Sequence, residues 1–99
     1  MNDPQRMAVK LEQLAGLVRE AETEFEKAAI FAATQAIATA FNEAEDQFDA
    51  YALEQVEKAR WSICAAIGYD VTNNHDASSH VSWALGAASN LRSVLSRAS

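Results

Sequence analysis

The chain has 99 residues, with fourteen Asp and Glu against eight Lys and Arg, a net charge of -6 and one cysteine. A chain of this size is expected to form one helical domain, 1–99, with a modest core. A lone cysteine excludes an internal disulfide and any CxxC motif, and so few basic residues argue against direct contact with nucleic acid.

Alanine makes up about a fifth of the chain, while glycine and proline number only three and one. Alanine, glutamate and leucine favour helix, so the fold class is all-α. The first helix is expected to start at Pro4, which suits the first helical position, with Asp3 as its N-cap. Met7, Leu11, Leu14, Val18, Ala21, Phe25, Ala28 and Ala32 then recur at spacings of four and three, the seam of a helical bundle. Gly16 sits in the interior of that helix and suggests a close helix crossing. Thr23 with Glu26 fits a capping box, as does Asn42 with Glu45. A new apolar stripe, Ile30, Ile37, Phe41, Ala44 and Phe48, begins about five residues after Phe25. These marks predict one long helix over 4–41, bent or broken near residue 23, followed by a tight turn around 42–45.

Residues 28–42 carry no charge and are apolar on several faces, the pattern of a buried central helix. The stretch is about 22 Å long as a helix and contains Thr34, Gln35, Thr39 and Asn42, too short and too polar to cross a bilayer. The next helix is predicted over 46–67, with Phe48, Ala52, Val56, Ala59, Ile63 and Ala66 inward and a favourable Glu54–Lys58 pair outward. Gly68 and Tyr69 read as a Schellman stop. Residues 70–74 read as a turn-rich loop, and Asp76 or Ser78 as the cap of a last helix over 77–97. Val81, Ala84, Leu85, Ala88, Leu91, Val94 and Leu95 form its stripe. Gly86 suggests a second close crossing, and Arg92 and Arg97 suit the negative end of the helix dipole. The expected architecture is a small antiparallel bundle of three long helices, with a four-helix bundle as the runner-up.

Acid dominates the middle of the chain. Residues 20–57 hold Glu20, Glu22, Glu24, Glu26, Glu43, Glu45, Asp46, Asp49, Glu54 and Glu57 against a single base, Lys27. A block of one sign can select a basic partner and speed association with it. Pairs such as Glu20/Glu24, Glu22/Glu26 and Glu45/Asp49 repel at i,i+4, a local cost to stability that invites a functional reason. These ten acids are the candidate partner-binding residues.

Other chemistry is sparse. His75, Asp76 and His80 form the one cluster resembling a site, but zinc needs three or four ligands and no further Cys or His is near. The bland reading makes Asp76 an N-cap and both histidines surface residues. Carboxylate pairs at i,i+4 lie on what reads as a solvated face, and neither histidine has a glutamate three residues before it, as a di-iron bundle would need. No GxGxxG, P-loop or GxSxG is present. Cys64 lies among apolar neighbours and reads as a small buried hydrophobe. Trp61, Trp83, Tyr51 and Tyr69 read first as core, second as contact residues. The sequence starts with no basic, apolar leader, which together with the single cysteine points to the cytoplasm.

The expectation is therefore a non-enzymatic, cofactor-free, metal-free protein that binds another protein with a basic surface, and neither nucleic acid nor membrane. In size, acidity and lack of motifs it is similar in style to phage-encoded inhibitors of bacterial defence, such as anti-CRISPR proteins; no residue motif carries that likeness. The alternatives are an assembly module that self-associates through its Ala-rich helix and, behind it, a metal or enzyme site at His75, Asp76 and His80. A continuous 4–41 helix would span about 55 Å, and its overhanging apolar flank would need a second subunit, giving a homodimer.

Overall fold

The computed structural model describes residues 3–69 and 77–98. Among the described residues four helices pack against one another: α1, Pro4–Leu17; α2, Glu24–Glu43; α3, Ala50–Ala66; and α4, Ala77–Ala98. Short 3₁₀ turns, Val18–Glu20 and Glu45–Gln47, lead into the corners on either side of α2. No strand occurs among the described residues. No described helix is long and apolar enough to cross a membrane.

Local capping sets most helix ends. Asp3 accepts a hydrogen bond from the Arg6 amide at 3.1 Å, and Pro4 takes the first helical position. Gly68, at φ +88°, provides the left-handed residue that closes α3. Its amide reaches the Ala65 carbonyl at 3.0 Å and that of Tyr69 reaches the Cys64 carbonyl at 2.9 Å, the two bonds of a Schellman stop. The Tyr69 ring then lies 5.0 Å from that of Phe31 and ties this end of α3 to α2.

The expected 4–41 helix is interrupted after Leu17 and restarts at Glu24. The capping box forms: the Thr23 hydroxyl accepts from the Glu26 amide, and the Glu26 carboxylate accepts from the Thr23 amide. At the next corner the expectation fails. The helix runs past Asn42 to Glu43, and Asp49 caps α3 instead, accepting from the Ala52 amide at 2.8 Å. Helix α3 therefore begins at Ala50 rather than 46. The loop 70–74 and Asp76 lie outside the described residues. Ser78 stands within α4 and is not its cap.

Helix α4 holds the core together by packing along both α3 and α1, while α2 lies against α3 and α1. Leu11, Phe41, Val56, Ile63, Val81 and Leu91 are fully buried. Between helices, Glu12 meets Arg92 at 3.5 Å and the Asn90 amide donates to Gln55 Oε1 at 3.4 Å. The Arg97 guanidinium donates to the Ser93 carbonyl in the last turn of α4. The seam of the first helix holds from Met7 to Ala21. Beyond the break it fails, because Phe25, Ala28 and Ala32 all face solvent. The second stripe, with Ile30, Ile37 and Phe41, takes over the core. Helix α2 is thus buried on one side only and is not a central helix.

Neither expected glycine crossing forms. A methyl group placed on Gly16 or Gly86 would meet nothing within 4 Å. A glycine in a helix interior costs about 0.5–1 kcal/mol relative to alanine. Gly86→Ala should therefore raise the unfolding free energy by about that amount, read by denaturant titration. A drop in stability would show that the backbone there is under a constraint. Thr34 is wholly buried on the core side of α2, and its hydroxyl has no hydrogen-bond partner among the described residues. Thr34→Val keeps the shape and removes the stranded polar group, so it should stabilise by about 1 kcal/mol, or raise Tm by roughly 4–8 °C. A lower Tm would mean that the hydroxyl is satisfied in solution.

Candidate partner-binding surface

All ten candidate acids are exposed. They do not form one continuous flank. Glu20, Glu22, Glu24 and Glu26 gather at the start of α2. Glu43, Glu45, Asp46 and Asp49 gather at its end, followed by Glu54 and Glu57 on α3. A twenty-residue helix separates the two groups by about 30 Å, several times the ~8 Å screening length at physiological salt. The charge is therefore two separate poles and not a single field.

Local structure occupies half of these acids. Glu26 and Asp49 serve as caps. Glu24 pairs with Lys27 at 3.6 Å, Glu54 with Lys58 at 3.5 Å, and Glu57 with Arg60 through both carboxylate oxygens. Exposed pairs of this kind contribute a few tenths of a kcal/mol. Glu20, Glu22, Glu43, Glu45 and Asp46 are left facing solvent, two at the first pole and three at the second.

Glu26 is the best-defined carboxylate of the set. Its Oε1 accepts from the amides of Thr23 (2.9 Å) and Glu22 (3.1 Å) and from the Thr23 hydroxyl (3.1 Å). The Thr23 amide, then the Glu22 amide, then the hydroxyl favour the ionised form and hold this carboxyl below the usual glutamate value of 4.5.

Within the first pole lies the most exposed large apolar side chain of the described residues, Phe25, at 83%. It lines a groove of about 230 Å³ with Leu17, Ala21, Ala29 and Ile30, rimmed by Glu20 and Glu26. Leu17 is itself 47% exposed. The sequence stripe had placed Phe25 in the core. The signals for its true position were the Thr23 cap and the phase change that follows it, since a helix that restarts need not keep its predecessor's inward face.

The aromatic residues of the other side behave differently. His80 is buried, not a surface residue as expected, and its ring meets Trp61 and Trp83 edge-on at 5.2 Å each. His75 and Asp76 lie outside the described residues. Among the described ones no cluster of three His, Cys, Asp or Glu could hold a metal ion. Trp83 is 45% exposed, and with Trp61, Gly86, Gln55 and Asn90 it lines a groove of about 420 Å³ between α3 and α4. Cys64 is buried, as its apolar neighbours suggested.

No known protein family, no curated relative and no solved structure matches the chain.

A carboxyl whose folded value is lowered adds stability that is complete above its unfolded value and lost as pH falls through the folded one. The contribution of Glu26 should be intact at neutral pH and lost as the pH falls below 4.5, and Glu26→Gln should flatten that part of the decline. Thermal melts at a series of pH values make the comparison; identical slopes would show that Glu26 ionisation does not hold the corner.

Proposed function

We propose that the protein is a non-catalytic binding module of the cytoplasm that presents its acidic helical surface to a basic partner protein, as a small inhibitor of the anti-defence kind would. The observation that carries this reading is Phe25. A large apolar ring held 83% in solvent, beside an apolar groove edged by carboxylates, does nothing for the core. Such rings are frequent anchors of protein interfaces, and the surrounding acids would select a basic surface and steer it in.

A second reading has its own support. Ala28, Ala29, Ala32 and Ala36 are exposed along α2, and such small side chains would let another helix approach closely. On that reading the protein is an assembly module that pairs through α2.

Capture from a lysate of the source organism, at low and high salt, separates the two. The binding reading expects one stoichiometric basic protein that is lost at high salt. It also expects loss when Glu43, Glu45 and Asp46 are all changed to Lys, with Asp49 left in place because it caps α3. Retention unchanged by that triple reversal would sink the acidic-surface reading. The assembly reading expects self-association in sedimentation, split by Ala36→Glu; a monomer at every concentration ends it.

A further inference from the structure

Residues Phe25, Ala29, Ala32, Ala36, Thr39 and Glu43 follow one another at spacings of four and three, so they lie along one side of α2. All six are exposed. The strip begins at the Phe25 groove, runs about 27 Å without a charge or a long side chain, and ends on Glu43. Its two ends are the two acidic poles. Three bases lie nearby: Lys27 is paired with Glu24 at 3.6 Å, Arg19 lines a groove with Leu17 and Glu20, and Lys10 lines one with Leu17, Ala33 and Ile37.

Two features of this strip decide what can cover it. The first is charge. If a second copy laid its own α2 here, either direction would bring net acid against net acid at both ends, because Arg19 offsets only part of the first pole and no Lys or Arg occurs between residues 28 and 57 to offset the second. The second is area. A strip of about 27 Å by 10 Å offers roughly 300 Å² of footprint, well short of the ~800 Å² per partner of a stable protein interface. A lone helix suits that area if opposite charge adds to the apolar contact.

We propose that this face of α2 docks one helix of the partner protein, about 20 residues long, small or apolar along its centre and carrying Lys or Arg at both ends. The proposal rests on the protein-binding reading and specifies the partner's chemistry. Phe25 and the Leu17–Ala21 groove seat a larger apolar side chain at one end, and the alanines let the two helix backbones approach closely. The end charges meet Glu20 and Glu22 at one pole and Glu43, Glu45 and Asp46 at the other.

The test uses three synthetic peptides of about 20 residues with a common Ala/Leu centre, matched to the length of the strip. One has Lys-Arg at both ends, one at a single end with Glu at the other, and one has Glu at both ends. Binding to the full chain is read by fluorescence anisotropy in low and physiological salt. The doubly basic peptide should bind roughly tenfold tighter than the singly basic one and weaken with salt, and the acidic peptide should not bind. Ala32→Glu/Ala36→Glu makes the protein more acidic, so simple charge attraction would increase; docking predicts loss of binding instead, with circular dichroism confirming an intact fold. Binding that survives this double change, or a doubly basic peptide that binds no better than the acidic one, overturns the proposal. So does a wild-type dimer split by Ala36→Glu, which would put a second copy on the strip. If the lysate partner is lost on reversal of Glu43, Glu45 and Asp46 yet keeps its affinity for the Ala32→Glu/Ala36→Glu protein, the strip is wrong and the acidic-surface reading stands.

Discussion

The corner between α1 and α2 governs the rest of the molecule. One carboxylate, Glu26, takes hydrogen bonds from the Glu22 and Thr23 amides and the Thr23 hydroxyl, while that hydroxyl accepts from the Glu26 amide. These bonds occupy donors that the first turn of a helix would otherwise leave unsatisfied, so a chain of strong helix formers stops and restarts here without a glycine or a proline. A continuous helix over 4–41 would be about 55 Å long, and the folded body extends 37 Å at most. The break lets α1 lie along α4 while α2 folds back against α3 and α1.

The same break changes which side chains face inward. In α1 and the 3₁₀ turn after it, Leu11, Ala15 and Val18 meet the core. After Thr23 the new helix starts at a different rotation, so Ile30, Ile37 and Phe41 take the inward side and Phe25, Ala29, Ala32 and Ala36 turn outward. The exposed ring of Phe25, the groove beside it and the uncharged strip along α2 all follow from one capping box. The acidic poles follow too, since both corners of α2 are where charged turn residues gather and the helix between them holds them apart.

The far side of the bundle has a different character. There His80 meets Trp61 and Trp83 edge-on, and a hydrogen bond donated by the Asn90 side-chain amide to Gln55 Oε1 links α4 to α3. Buried polar groups that find aromatic or amide neighbours fix how two helices sit together. The molecule thus pairs a firmly specified α3–α4 half with an α2 whose outward side is only alanine, threonine and phenylalanine.

Much of the helix layout was legible because it depends on contacts only a few residues apart. Asp3 with Pro4, Thr23 with Glu26, and Gly68 with Tyr69 each mark a helix end through bonds within one turn, and the inward stripes of α3 and α4 follow from helical spacing. Whether Asn42 or Asp49 would cap α3 was not legible, because this one corner offers both side chains within a few residues; in the fold α2 runs past Asn42, and Phe48 packs on Phe41 with rings 5.0 Å apart just before the Asp49 cap. The burial of His80 depends on two tryptophans, one of them on another helix. The outward side of α2 was hidden for a related reason. The sequence offered two overlapping stripes there, Phe25–Ala28–Ala32 and Ile30–Ile37–Phe41, so by itself it settled that 28–42 is an uncharged helix bounded by acid but not where one stripe yields to the other. Only tertiary packing against α1 and α3 decided that the Ile30–Ile37–Phe41 side is core and the Phe25 side is left open, because that choice depends on how the large side chains of α2 fit those of neighbouring helices.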